Sequence, residues 1–119
     1  MEALVTILIP LLIQVESGGN PKAIGDGGKA VGVLQLHPIY VADVNRIYGT
    51  AYKAKDRLSE AQSKTITRLY LTHYGARYER LAGKKATIEV LARIHNGGPD
   101  GWKKQATKAY WNKIAKLKQ

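Results

Sequence analysis

The chain has 119 residues, no cysteine and a formal net charge of +10 at pH 7. This length predicts a single domain, residues 1–119, that can bury a core of its own. The lack of cysteine excludes disulfides and thiolate metal sites within the sequence. The charge favours a polyanionic partner, such as nucleic acid, an anionic membrane or a bacterial envelope, and does not choose among them.

A nearly unbroken apolar stretch from Leu4 to Val15 predicts a buried helix, with Pro10 as a kink or a restart point. The stretch is too short to span a bilayer. It also lacks the positive start and the small-residue cleavage site of a secretory signal, so we expect no signal peptide.

This helix leads into a lone carboxylate, Glu16, and Gly18-Gly19-Asn20-Pro21 then stops it. Desolvation by apolar neighbours disfavours the charged form of a carboxylate, and a general acid must hold its proton at neutral pH. Glu16 is therefore a candidate acid. The alternative is a solvated residue at a helix end.

The rest of the chain reads as short elements separated by glycine and cap signals. Two β-prone pieces, Ala23-Ile24 and Ala30-Val31, flank a Gly-Asp-Gly-Gly turn and predict a small hairpin. Four helices follow, with these predicted limits: Pro38 to Gly49, Ser59 (a capping box with Gln62) to near Gly75, Thr87 to His95, and about Ala106 to Leu117. The prediction is a mainly helical, α+β domain with one β-hairpin or loop.

Three ordered segments resemble the signatures of soluble lytic transglycosylases and goose-type lysozymes. They are Glu16–Pro21, Ala30–Gln35 and Ala92–Gly98. Those families have Glu-Ser at a helix end, a Gly-Leu-Met-Gln-like segment and an Ala-Tyr-Asn-Ala-Gly-like segment. In its small size the chain is similar to the phage-type endolysins of this superfamily. The resemblance implies a protein that stays in the host cytoplasm until lysis or is part of a virion.

The resemblance implies a lysozyme-like fold whose β-loop borders a substrate groove, and a monomer without cofactor or metal. The implied substrate is the glycan strand of peptidoglycan. Glu16 would protonate the oxygen between N-acetylmuramic acid and N-acetylglucosamine as an oxocarbenium-like centre develops. Ser17 and Gln35 would contact the sugar, and Asn96 would lie beside Glu16. For Ser17 and Gln35 the alternative is a hydrogen bond to local backbone.

One departure from the family pattern concerns His95. It stands where those families usually have a tyrosine that bonds the catalytic glutamate. An imidazole could make the same bond, and activity would then depend on its protonation. The alternative is a core histidine at a helix end.

A second carboxylate would decide the chemistry. Asp26, in the predicted hairpin turn, is the candidate to position water for hydrolysis, although Asp before Gly-Gly also suits a tight turn. A further aspartate of the goose-type enzymes would fall at His37. Without a partner carboxylate, the muramic acid O6 hydroxyl closes on C1 and Glu16 takes back the proton. The sequence favours this transglycosylase outcome, with the muramidase as the alternative.

Seven tyrosines and two tryptophans provide flat faces for sugars. We expect Tyr48, Tyr52, Trp102 and Tyr110 to face the cleft, and Tyr70, Tyr74 and Trp111 to lie in the core. The charge predicts attraction to anionic envelope polymers or lipopolysaccharide. A basic nucleic-acid-binding or non-catalytic envelope-binding module is the alternative, but lysines and arginines are dispersed without a recognition-helix pattern, so we expect no nucleic acid.

Overall fold

The computed structural model describes residues 1–118, which form five helices and one two-stranded antiparallel sheet. The elements are α1 (Glu2–Ser17), β1 (Ile24–Gly25), β2 (Ala30–Val31), α2 (Pro38–Tyr48), α3 (Glu60–Ala82), α4 (Ile88–Gly97) and α5 (Lys108–Lys118). This confirms the prediction of a mainly helical domain with one small hairpin.

The chain divides into two compact units. The central unit is Ile13–Tyr70, and the terminal unit is Met1–Leu12 together with the chain from Leu71 onward. The central unit carries α2, the hairpin and the C-terminal end of α1, whereas the terminal unit carries α4 and α5. Among residues 1–118, no helix combines the length and apolarity that crossing a membrane requires.

Helix α1 runs without interruption from Glu2 to Ser17, so the predicted restart at Pro10 is wrong. Pro10 is exposed, and the residues on the opposite side of the helix are buried, among them Leu8 and Leu12. Burial of these leucines stabilises the helix by roughly 2 kcal/mol for each side chain, which compares with the cost of a proline inside a helix.

The hairpin pairs Ile24 with Val31 and Gly25 with Ala30, and the turn between the strands is a short 3-10 segment, Asp26–Gly28. The chain then turns again at residues 32–35, and the backbone of Leu36 pairs with Val31. Gly32 makes this second turn possible. Its φ is +88°, and a Cβ on it would lie 1.9 Å from the carbonyl oxygen of Arg57.

The segment expected to be a polar connection, residues 50–58, contains a 3-10 turn at Ala54–Leu58. Within it Arg57 is 8% exposed, which the sequence did not predict. The side chain of Ser59 then caps α3 by accepting a hydrogen bond from the amide of Gln62 at 3.2 Å, as the capping pattern predicted.

Helix α3 continues past Gly75 to Ala82, so the predicted end near Gly75 is wrong. A Cβ at Gly75 would lie within 2.9 Å of both Met1 and Leu91 side-chain atoms. The glycine therefore allows close packing inside the helix, and the chain turns only at Gly83, where φ is +69°.

The last helix also differs from its prediction, because residues 105–107 form a 3-10 turn and α5 begins at Lys108. On α5, Tyr110 is buried, although it was expected to face the cleft, and Trp111 is half-buried, although it was expected to lie in the core. Tyr70 and Tyr74 are buried, as predicted.

In the central unit, Tyr40 of α2 stacks on Tyr70 of α3, with ring centroids 3.7 Å apart and planes 13° from parallel. Burial raises the pKa of Tyr40 well above its ordinary value of 10.0, and the charges of Tyr70 and Glu16 raise it further. The stacked pair is therefore a part of the core whose stability depends on a retained phenol proton.

Gly32→Ala should lower the free energy of unfolding by about 3 kcal/mol, because a left-handed backbone and a clash with Arg57 act together. Gly27→Ala is the matched control. Its φ is +65° and nothing lies within 4 Å of its Cβ position. It should therefore lose only about 1 kcal/mol. Urea denaturation measures both values, and equal losses would contradict the packing argument.

Stability should fall as the pH rises above the ordinary tyrosine value of 10.0. There the unfolded Tyr40 loses its proton while the folded Tyr40 retains it, so the folded state binds more protons than the unfolded state. Tyr40→Phe should make this loss shallower in thermal unfolding followed between neutral and alkaline pH. An unchanged slope in Tyr40→Phe would refute the assignment.

Candidate active site

Glu16 lies in the last turn of α1 and is half-buried. The helix ends directly after it, where the amide of Gly18 donates to the carbonyls of Ile13 and Gln14 and Gly18 and Gly19 both have positive φ. Its charge also acts on the phenol of Tyr40. The structure thus places one partly desolvated carboxylate where a helix gives way to a glycine turn.

The side chain of Ser17 connects this helix end to residues 26–36, called here the hairpin segment. Its hydroxyl donates to the carbonyl of Val33 at 2.8 Å, and it accepts a hydrogen bond from the amide of Gly19 at 3.0 Å. The Val33 bond spans 16 residues, so it fixes the position of the adjacent Glu16 relative to the turn at residues 32–35. These are the backbone bonds of the alternative interpretation, and the sugar contact of Ser17 stays a prediction.

The side-chain amide of Gln35 bonds the backbone of the hairpin and of the turn that follows it. Its Nε2 donates to the carbonyls of Ala23 and Gly32, both at 3.0 Å, and its φ is +52°. A Cβ at Gly25 would lie 2.5 Å from Gln35 Oε1, so the glycine makes room for this amide. The amide nitrogen is thereby used in the loop, and a sugar contact of Gln35 would involve its Oε1.

Asp26 and His37 form a pair that the sequence analysis did not anticipate. Nε2 of His37 lies 3.0 Å from Oδ2 of Asp26, within ion-pair distance, and the two side chains are 38% and 65% exposed. Asp26 has a φ of +51°, which is uncommon for a residue other than glycine. The pairing of Val31 with Leu36 brings the residues together, since His37 follows Leu36 directly. The hairpin register was the signal that could have revealed this pair.

Tyr48 is the last residue of α2, and its side chain is exposed. Its hydroxyl donates to the carbonyl of Leu69 at 2.8 Å, and partial burial raises the pKa of this phenol. The hydroxyl is therefore held by α3, and the contact of the exposed ring with a sugar stays a prediction.

His95 and Asn96 lie in the terminal unit, in the last turn of α4. His95 is 8% exposed and Asn96 is exposed. The helix begins at a Thr87 cap, whose hydroxyl accepts a hydrogen bond from the amide of Val90. That these two residues act together with Glu16 stays a prediction.

A buried arginine that the sequence did not single out supports the end of α4. Arg93 is 8% exposed and donates to Thr107 Oγ1 at 2.8 Å, to the Lys104 carbonyl at 2.8 Å and to Glu89 at 2.9 Å. The segment after His95 and Asn96 is therefore held against the helix that carries them.

Glu16 and Asp26, both in the central unit, have different surroundings: Glu16 is half-buried, whereas Asp26 is mostly exposed and paired with His37. Such a difference separates the acid from the second carboxylate in glycosidases. Among residues 1–118, no group of three or more histidines, aspartates and glutamates has the arrangement of a metal site.

Comparison with known proteins gives the family. The model of the transglycosylase SLT domain matches residues 1–118. A lysozyme of Meretrix lusoria is 36% identical over 91 residues, which are 76% of this chain and 70% of that protein. Invertebrate-type lysozyme 6 of Caenorhabditis elegans is 31% identical over 112 residues, with 89% and 81% covered.

A solved structure agrees with these relatives. In the crystal structure of Aeromonas hydrophila PliI in complex with Meretrix lusoria lysozyme, one chain superposes with a TM-score of 0.72 at 29% identity, covering 96% of this chain and 87% of that one. This likeness confirms the lysozyme-like fold. The chain therefore belongs to the transglycosylase SLT domain family, and it is a lysozyme-like, peptidoglycan-degrading member of it.

Proposed function

We propose that this protein hydrolyses the β-1,4 bond between N-acetylmuramic acid and N-acetylglucosamine, with Glu16 as the general acid and Asp26 as the second carboxylate. Glu16 donates its proton to the glycosidic oxygen as the bond to C1 breaks. A water positioned by Asp26 then forms the new bond to C1, and its proton passes to a carboxylate.

The pairing of Asp26 with His37 carries this proposal. A turn aspartate without a function usually bonds the backbone of its own turn. Here its carboxylate lies 3.0 Å from the imidazole of His37, 11 residues further along, while 65% of the Asp26 side chain is exposed to solvent. An exposed carboxylate in a fixed position is what the positioning of a water molecule needs. The relatives that bear the name lysozyme support the same outcome.

The lytic transglycosylase that the sequence favoured is the second candidate, and the family match supports it. In that reaction the O6 hydroxyl of muramic acid forms the bond to C1, and Glu16 takes back the proton. Asp26 then has no role. The two outcomes differ in their products, because ring closure leaves a 1,6-anhydro end that is one water lighter than the reducing end left by hydrolysis.

Mass spectrometry of the soluble muropeptides, with digestion in isotopically labelled water, tests the proposal. We expect reducing ends that carry the label. Glu16→Gln should lower the rate at least 100-fold and Asp26→Asn about 100-fold, because each removes a proton-transfer or water-positioning group. Glu2→Gln, on an exposed residue of the same helix, is the control. Unlabelled anhydro ends, together with full activity of Asp26→Asn, would establish the transglycosylase instead.

We also propose that the charge of +10 attracts the protein to anionic envelope polymers. From Gly101 to Lys118 the chain has six lysines and no acidic residue. Cleavage of whole walls should therefore weaken as salt rises, whereas cleavage of a short uncharged oligosaccharide should change little. Equal salt dependence for both substrates would contradict this steering, and tight nucleic-acid binding with a steep salt slope and no wall cleavage would favour the nucleic-acid module.

A further inference from the structure

Arg57 has a buried guanidinium that donates its hydrogen bonds to backbone carbonyls. It is 8% exposed, and it donates through Nε to Ala54 and through Nη1 to Lys29 and Leu36, each at 2.9 Å. Burial of a charge is costly unless charged hydrogen bonds compensate for it. The three hydrogen bonds therefore offset the cost of burying Arg57, and they hold the backbone of Lys29, Leu36 and Ala54 in place.

The two carbonyls on Nη1 both belong to the stretch of chain between Asp26 and His37. Lys29 closes the turn that Asp26 opens, with its amide donating to the carbonyl of Asp26 at 3.2 Å. Leu36 directly precedes His37. One nitrogen of Arg57 thus joins the segment that follows Asp26 to the segment that precedes His37.

The backbone of Arg57 is held as firmly as its side chain. Its carbonyl accepts a hydrogen bond from Ser63 Oγ of α3 at 2.9 Å. The same carbonyl lies 1.9 Å from the Cβ position of Gly32, where only a glycine fits. Arg57 therefore connects α3 to both turns of the hairpin segment, residues 26–36.

We propose that Arg57 is a positioning residue for Asp26: it keeps the hairpin segment in the conformation in which the carboxylate and His37 meet. The left-handed φ of Asp26, +51°, persists only where the surrounding structure enforces it. Arg57 supplies this constraint by fixing the connecting segment near both of its ends, at Lys29 and at Leu36. The inference rests on the proposed role of Asp26 and assigns to Arg57 no contact with the substrate.

A double-mutant cycle tests the proposal. Arg57→Lys keeps the charge and loses the planar fork that reaches three carbonyls. In the parent it should lower kcat on peptidoglycan about 10- to 100-fold, since misplacement of a reacting group by about 1 Å costs that much. In the Asp26→Asn background it should lower kcat less than about threefold, because the group that it positions is already lost.

Arg93→Lys is the matched control, since Arg93 is an equally buried arginine in the terminal unit. Its effect should be the same with Asp26 or Asn at position 26. Thermal unfolding shows whether each variant is folded at the assay temperature, and Arg57→Met, similar in shape and uncharged, replaces Arg57→Lys if that variant unfolds. Equal effects of the Arg57 substitution in the two backgrounds would overturn the proposal and leave Arg57 with a role in stability alone.

A measurement without activity separates this proposal from the proposed function. The nitrogen-15 chemical shift of His37 Nε2 at neutral pH reports its contact with Asp26, and Asp26→Ala, whose side chain has no acceptor, gives the value without that contact. Arg57→Lys should move the shift most of the way to this value. An unmoved shift refutes the positioning role. A moved shift with full activity of Asp26→Asn shows that Arg57 holds the pair and that the catalytic role of Asp26 is wrong.

Discussion

The close approach between Gly32 and the carbonyl of Arg57 is the constraint on which the arrangement of the candidate site depends. No other residue type fits at position 32, because a Cβ there would lie 1.9 Å from that oxygen. The approach allows the guanidinium of Arg57 to lie beneath the hairpin segment and to bond Lys29 and Leu36. These bonds hold in place a β-hairpin that has only two residues in each strand and no large sheet to support it.

The C-terminal end of α1 is hydrogen-bonded to the same segment. The hydroxyl of Ser17 donates to the carbonyl of Val33. This bond connects the helix that carries Glu16 to the hairpin segment that carries Asp26. Helix α2 adds the Tyr40 ring, whose pKa the charge of Glu16 helps to raise. The central unit therefore contains the proposed acid, the proposed second carboxylate and the groups that position them.

The sequence predicted well the features that depend on local chemistry. The Ser59 and Thr87 caps are where the residue types place them, and the hairpin around Asp26 differs only in its first strand, which lies one residue later than predicted. Caps and tight turns need only near neighbours. Gly75 was misread as a helix end, since nothing in the local pattern shows that Met1 and Leu91 pack over it.

The parts of the site that the sequence missed depend on contacts between distant positions. Arg57 lies in a polar stretch, where an arginine is normally a surface residue, and its burial follows from carbonyls 21 and 28 residues away. The Asp26–His37 pair likewise requires the register of the hairpin, which a two-residue strand does not specify by pattern. Glu16, by contrast, is a candidate on the basis of its own neighbours along the helix, and its catalytic role stays a prediction. The phage origin suggested by size stays a prediction.

The hairpin segment has an unusual handedness. From Asp26 to Gln35, positive φ angles occur at Asp26, Gly27, Gly28, Gly32 and Gln35. Ordinary amino acids disfavour that half of conformational space, and their mirror-image forms prefer it. Gly27 and Gly28, with φ angles of +65° and +94°, already have the backbone conformation that a D-residue prefers. D-alanine introduced there by chemical synthesis would therefore restrict the unfolded chain to a backbone geometry that the folded loop already has.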